Sequence, residues 1–478
     1  MSVGGGVGGA EGMSGGDVTA GGEGIGGGKG TAGGEGMGGG LLHRNRDFRL
    51  LWCGETAGKF GASVTGVAMP LVAVTTLHAG TFQVGLLTAA AWLPWLVIGV
   101  PVGVWVDRMR RRPIMLVAAA VSLLLYAGIP VAAWSGVLNI GLLLGVALLA
   151  GTAAVFFQTA YTAYLPSILA SGDQPEGNAK LHGGASAAQI AGLGSGGLIA
   201  QLAGAVNGMF ANAATFLVSL LCLSGIRHRE PRVVTTERPP MALAKEVGEG
   251  LRLATRDPWF RTLTLFGATS NLALMGFQSI LVVFLVREVG LGSGTVGALI
   301  AVASSGGVAG AFAARRVAGR VGTARATLLF EMGFAVFALL IPLTFGGVGL
   351  LFYVVGGFCV SAGVVAGNVI KASFQQRYCP PELLGRLTAS TSFINFGTIP
   401  LGALLGGTLG TVLGLRAAMW ITTAGVPLAG LILFFSPVRG ARDLPTSPQP
   451  SMSVRPVQRR GDPEASQASG GESSRPVH

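Results

Sequence analysis

Three charged constellations in this 478-residue chain stand inside or between long apolar runs, where charge is costly. The first is Gly103-Val-Trp-Val-Asp107-Arg108-Met-Arg110-Arg111-Arg112. Its carboxylate can accept charge-assisted bonds from Arg108 or a neighbouring arginine, and can face the positive end of another helix. Such a cluster would hold one side of a molecule shut and break when that side opens, with Gly103 letting two helices approach closely. The plainer alternative is that Arg108, Arg111 and Arg112 only orient the chain, but orientation needs no aspartate. The second constellation is Glu55 and Lys59, four apart and so on one helical face. They can pair as a functional unit or snorkel together at an entrance. Glu331 lies deeper in an apolar run, and with Glu55 it is a candidate proton carrier; a packing acid bonded to a neighbour is the other reading.

Neutral polar groups form a further set: Gln158, Tyr161, Gln189, Asn271, Gln278, Asn368 and Asn395. Placed on helices, they could line a central cavity. Amides among Phe and Met side chains suit bulky amphipathic solutes better than sugars or anions, and each taken alone can instead bond helix to helix. Lys371 is expected to snorkel at a helix end. The four cysteines, Cys53, Cys222, Cys359 and Cys379, are scattered without a CxxC pair, so neither a disulfide framework nor a metal site is expected. No Gly-rich loop ends in Lys-Ser or Lys-Thr, which argues against direct use of ATP. No catalytic residue, metal or cofactor is expected.

The elements that must position these groups are apolar. Half of the residues are hydrophobic and 11% are charged, roughly half the usual charged fraction of a soluble domain. About 20 helical residues cross a hydrocarbon core of about 30 Å, and segments of that length recur from Leu50 to Phe435. The expectation is an all-α polytopic membrane protein with helices over 50–76, 82–106, 113–134, 138–161, 180–204, 207–226, 260–286, 292–314, 323–345, 348–371, 384–412 and 415–435. Residues 1–46 are a Gly-rich tail and 437–478 a Pro/Ser/Arg-rich one; neither offers side chains to offset backbone ordering, so both are expected to be disordered. The N-terminus lacks the basic start and apolar run of a secretory signal.

Net charge is +12, but the basic residues fall in short clusters between the apolar spans, which argues against nucleic acid and for loops facing anionic lipid. Alternate connections carry Arg108 to Arg112, then the charged stretch 227–258, then Arg315, Arg316, Arg320 and Arg325, then Arg377 and Arg386. The other connections hold only Arg287 and Arg416. That asymmetry places both termini in the cytosol of a plasma-membrane protein, and makes 227–258 a cytosolic linker whose 241–256 stretch is amphipathic.

The halves 47–226 and 259–436 echo each other. Phe48-Arg49 before the first helix matches Phe260-Arg261 before the seventh, about 212 residues on. Tyr164-Leu-Pro166 matches Tyr378-Cys-Pro380, about 214 residues on, and a glycine-rich stretch follows each. A common offset points to a duplicated six-helix unit, an architecture used for alternating access.

The segment from Gly103 to Arg112 resembles the signature that the major facilitator superfamily carries between its second and third helices, with Arg110 in place of a second glycine. The resemblance covers residues 46–436. Phe48-Arg-Leu-Leu-Trp52, Tyr164-Leu-Pro166 and Pro381-Glu-Leu-Leu-Gly-Arg386 are similar to the drug, macrolide and siderophore exporters of that superfamily. The likeness implies twelve helices in two pseudo-symmetric six-helix bundles, working as a monomer among membrane lipids. It further implies secondary export of a small hydrophobic or amphipathic organic substrate, driven by proton entry. Two departures bear on the proton. The fifth helix reads Gly194-Ser195-Gly196-Gly197 without the proline typical of drug–proton antiporters, and the fourth helix carries no charge. The loop after the eighth helix has Ala314 where a second latch would need an acid. Uptake of a nutrient, or a non-transporting receptor on the same fold, remain the alternatives.

Overall fold

The computed structural model describes residues 41–446, apart from 171, 229, 231–247, 249 and 250. All regular structure among the described residues is helical. Helix α1 (Arg46–Leu71) is capped by Asn45, whose side chain accepts from Phe48 N at 3.0 Å. It is followed by α2 (Thr81–Val97), α3 (Gly99–Arg108), α4 (Arg111–Trp134), α5 (Ile140–Ile168), α6 (Gln174–Ala203) and α7 (Ala205–Gly225). The second half opens with α8 (Pro258–Val283), capped by Asp257, which accepts from Trp259 N and Phe260 N at 2.9 and 3.0 Å. Then come α9 (Ser293–Val321), α10 (Thr323–Leu328), α11 (Leu350–Tyr378), α12 (Pro381–Val412) and α13 (Leu415–Phe434). Such caps satisfy backbone N–H groups that a helix start leaves without partners. Both α1 and α8 run on into a single π turn, Val72–Thr76 and Phe284–Glu288. Caps and π turns alike recur about 212 residues on, so the offset of the short motifs is repeated in how these two helices start and stop.

Ten helical stretches among the described residues are long and apolar enough to cross a bilayer; α2 and α3 together make an eleventh, bent by 56°. The bend has a cause in the sequence, because Pro101 offers no N–H to the preceding turn. Of the twelve spans expected, 180–204 is helical as α6 but falls short of that apolarity, since it is built from Gly, Ala and polar residues. Large apolar side chains such as Leu124, Trp134, Leu202 and Phe435 face outward along these helices. In water that surface would be untenable; against lipid it is the ordinary exterior. The spans formed by α1 and α8 are 50% and 67% buried, against 33–44% for the other nine-tenths-apolar stretches with a measured share, so these two stand innermost.

Several boundaries differ from the sequence reading. Helices α5 and α11 run about two turns past their expected ends, which puts Tyr164-Leu-Pro166 inside a helix and Lys371 well before one. Helix α9 extends to Val321, so Arg315, Arg316 and Arg320 decorate its last turns. The expected helix 323–345 is broken into α10, a π turn at Leu329–Gly333 and a 3-10 run at Phe334–Leu343. The start of the C-terminal tail is packed: Val438 and Leu444 are buried, and Asp443 accepts from Thr323 N at 2.8 Å, capping α10. At the other terminus Leu41 is buried and its N–H donates to Glu176 at 3.0 Å. Most of the linker, including Lys245, Glu246 and Glu249, and the remainder of both tails lie outside the described residues; 251–256 is helical.

Candidate functional site

Two cavities open within the helices, one in each half of the chain. The first, about 480 Å³, is walled by α1, α2, α4, α5 and α7. Its surface is aromatic, with Trp92, Trp95, Tyr126, Phe157 and Phe216. Glu55 and Lys59 enter it from α1 with Nζ to Oε1 at 3.4 Å, and Lys59 also donates to Gln158 at 2.9 Å. Glu55 is 6% exposed, so its neutralising partner is this lysine and not water. Tyr161 is buried beside the cavity, its ring stacked on Phe157 at 6.4 Å, and does not line it.

The second cavity, about 240 Å³, is walled by α8, α11 and α12. Glu331 reaches it from the π turn after α10, and Lys371 meets that carboxylate at 2.6 Å while lying 4.9 Å from the centre of the Phe266 ring. Lys371 is therefore turned inward against an acid, not snorkelling at a helix end as expected. Asn271, Asn368 and Asn395 line the same space, and Asn395 Oδ1 is buried with no hydrogen-bond partner among the described residues. The π turn and the 3-10 run place Glu331 where a straight helix would not, and Gly367 leaves it room on α11. Irregular turns of this kind gather at working sites. Of the remaining amides, Gln189 and Gln278 are exposed and line neither cavity.

The cavities occupy related places. Gly267 and Asn271 in the second stand about 212 residues after Glu55 and Lys59, and Lys371 about 214 after Phe157 in the first. An acid–lysine pair has thus been supplied twice, from different walls. Between the cavities stands an aromatic partition: Phe396 on α12 lies 6.1 Å from Trp92 and 5.2 Å from Trp95, and it follows Asn395 in the chain. The lysine partner and the tryptophans were absent from the sequence reading. Trp92 and Trp95 were visible as a pair three apart on one helix face; the meeting of Lys371 with Glu331 was not, since forty residues separate them.

Contacts between the halves gather at the end where α2 begins. Phe82 N donates to Thr411 Oγ1 at 3.1 Å, and Arg287 donates to Ala79 O at 2.8 Å. There the backbones nearly touch: a Cβ on Gly197 would lie 2.5 Å from Gly297 Cα, and one on Gly85 would lie 2.6 Å from Ala403 O. No side chain fits at either place.

At the opposite end, Gly103 is half-buried on α3, beyond the bend, and Asp107 is exposed with no hydrogen bond or ion pair among the described residues. The neighbouring arginines are occupied by structure. Glu230 accepts from Arg111 N at 2.8 Å and Arg112 N at 3.2 Å, capping α4. The Arg112 guanidinium donates to Leu223 O at 3.2 Å and Ser224 O at 2.6 Å, capping the end of α7. Arg108 is exposed and takes part in a polar contact.

Long apolar helices with lipid-facing flanks, enclosing two cavities that each hold a buried acid–base pair, define a carrier of small molecules through a membrane. The chain belongs to the Major Facilitator Superfamily, whose sequence profile matches residues 51–399. It is therefore a transporter and not an enzyme. It is similar to the multidrug efflux pump Tap of Mycolicibacterium fortuitum, 29% identical over 420 residues that cover 84% of this chain and 97% of that protein. The pump of the same name from Mycobacterium tuberculosis (strain ATCC 25618 / H37Rv) is 28% identical over 410 residues, covering 83% of this chain and 94% of its own. A crystal structure of a mutant of the nucleoside transporter NupG superposes with a TM-score of 0.69 at 10% identity, over 81% of this chain and 99% of that one. That last likeness is one of fold alone.

Proposed function

We propose that this protein exports small hydrophobic or amphipathic organic compounds from the cell in exchange for protons. It would sit in the plasma membrane as a monomer of twelve helices, with six in 47–226 and six in 259–436, joined by the linker 227–258, and with both termini in the cytosol. The observation that carries the reading is the pair of cavities, one aromatic and one rich in amides, each with a carboxylate held by a lysine. The similarity to multidrug efflux pumps along most of both chains supports the direction. The tight glycine contacts at one end fit a state closed to the outside, from which the cavities are reached from the cytosol.

In this cycle Glu55 and Glu331 are the proton carriers. A proton taken up by either carboxylate cancels its attraction for the paired lysine, which frees that lysine to move. Asp107 would engage only when the cytosolic end closes, meeting the positive start of a helix from the second half, and the 56° bend between α2 and α3 would change as it did so. Gln158, Asn271, Asn368 and Asn395 would contact substrate within the cavities; Tyr161 would support Glu55, and Gln189 and Gln278 would face the path between the halves.

The test is accumulation of a panel of labelled compounds in cells with and without the gene, each with and without a protonophore. Export requires higher accumulation in the deleted strain and loss of the difference with the protonophore. Lower accumulation in that strain would mean uptake, and no difference for any compound would end the transport reading for that panel.

A further inference from the structure

The charges inside the two cavities cancel. Glu55 and Lys59 are the charged side chains lining the first cavity, and Glu331 and Lys371 those lining the second, among the described residues. Each carboxylate is already in contact with its lysine, at 3.4 Å and 2.6 Å. A permanent cation entering either space would give up its water and meet no net charge, and removing a charge from water without a partner is strongly unfavourable. Protonation makes this worse for a cation, because it leaves an unneutralised ammonium behind. What the walls do offer is complementary across the partition. One side presents aromatic faces at Trp92, Trp95 and Phe157, and the other presents Asn271, Asn368 and the unsatisfied Oδ1 of Asn395.

We propose that the substrate is an amphiphile without net charge that lies across the partition, its flat apolar end against Trp92 and Trp95 and its hydroxyl- or amide-bearing end at Asn271, Asn368 and Asn395. Lys59 and Lys371 are the residues that exclude permanent cations. Their ammonium groups hold the place beside each carboxylate that a cationic solute would need. The partition formed by Phe396 with the tryptophans is the point such a molecule crosses, and it lies on the only aromatic contact described between the two chain halves. The proposal rests on the export reading for its physiological meaning, but binding tests it separately.

The test is calorimetric titration of the full-length protein in detergent with two probes sharing one aromatic end. One is an uncharged naphthyl gluconamide and the other is naphthylmethyl-trimethylammonium. The uncharged probe is expected to bind at least about ten-fold more tightly. Lys371→Met leaves Glu331 unmatched and is expected to bring the quaternary ammonium to equal or tighter binding. The double variant Glu331→Gln with Lys371→Met removes both charges and is expected to restore the original order, which shows that the site is still folded. Binding of the cation to the unaltered protein as tightly as the neutral probe would overturn the proposal. So would failure of the neutral probe to bind, or an unchanged order in Lys371→Met while the double variant still binds the neutral probe. Continued export of other compounds alongside such a result would confine the failure to this proposal. Absence of export for every compound would instead remove the functional reading and leave the binding order standing.

Discussion

At the scale of single residues, the carboxylates divide by what holds them. Glu331 touches Lys371 at 2.6 Å inside a cavity, and replacing it by Gln keeps the shape while removing the titrating group. Glu331→Gln is expected to reduce proton-driven transport by about ten-fold or more, corresponding to about 1.4 kcal/mol, while substrate exchange in the absence of a gradient persists. Transport with an unchanged response to imposed pH would clear Glu331 of that role. Asp107 differs, since nothing restrains it in this state. Asp107→Asn is expected to slow turnover by a few-fold to ten-fold, as loss of one charge-assisted bond of about 1.5–3 kcal/mol allows, with membrane abundance nearly unchanged. A third acid, Glu176, lies outside the membrane. The N–H of Leu41 donated to it, followed by the Lys180 and Arg44 charges, holds its carboxyl below the ordinary value of 4.5. The lowered value means that its hold on Leu41 is complete above about pH 4.5 and is lost as the pH falls below it. Proteolysis before Asn45 should therefore accelerate only on acidification, and Glu176→Gln should remove that dependence. The acids and amides were legible as sequence because charge and amide groups stand out in apolar runs. Their partners were not, because Lys371 meets Glu331 only through the packing of α11 on an irregular turn.

At the scale of elements, the sequence disclosed where helices occur better than where they end. Apolar length marks a span, but continuation of α5 past Tyr164 and of α11 past Lys371 depends on burial of Tyr164 and Tyr378 against neighbours. Tyr378 donates to Asp257 at 2.9 Å, so the cap of α8 also anchors the end of α11. Nothing local in the sequence foretold that bond. Helix α6 shows the converse: a scale of apolarity understates it, because glycine contributes little to hydropathy and much to close packing. Gly197→Val is the corresponding test. A side chain there must displace the backbone around Gly297, and overpacking of this kind costs about 1–3 kcal/mol. The expected result is a protein that reaches the membrane but transports poorly, with impermeant thiol reagents reaching cysteines introduced near Gln201. Wild-type transport in that variant would show that the close approach of α6 and α9 is dispensable.

At the scale of the whole molecule, the arginines that alternate between connections fix the sidedness proposed for the chain. Reporter fusions at both termini should score as cytosolic, and an external score for either would reverse every gate and cavity assigned above. The duplicated layout was legible from a few matched motifs, and it extends to caps and π turns no motif search would weigh. It does not extend to charge. The repeat supplies two similar chambers, and each has acquired its acid–lysine pair from a different wall. That asymmetry is consistent with unequal roles in one cycle, one chamber receiving the apolar end of a solute and the other its polar end.

The aromatic partition has a practical corollary. Trp92 and Trp95 belong to the first half of the chain and Phe396 to the second, so any rocking of one against the other must alter the surroundings of two indoles at once. Their native emission should shift in wavelength as the carrier cycles, giving an optical readout of turnover without an added label. Replacing Phe396 by leucine should flatten that signal while sparing the light emitted by the other tryptophans.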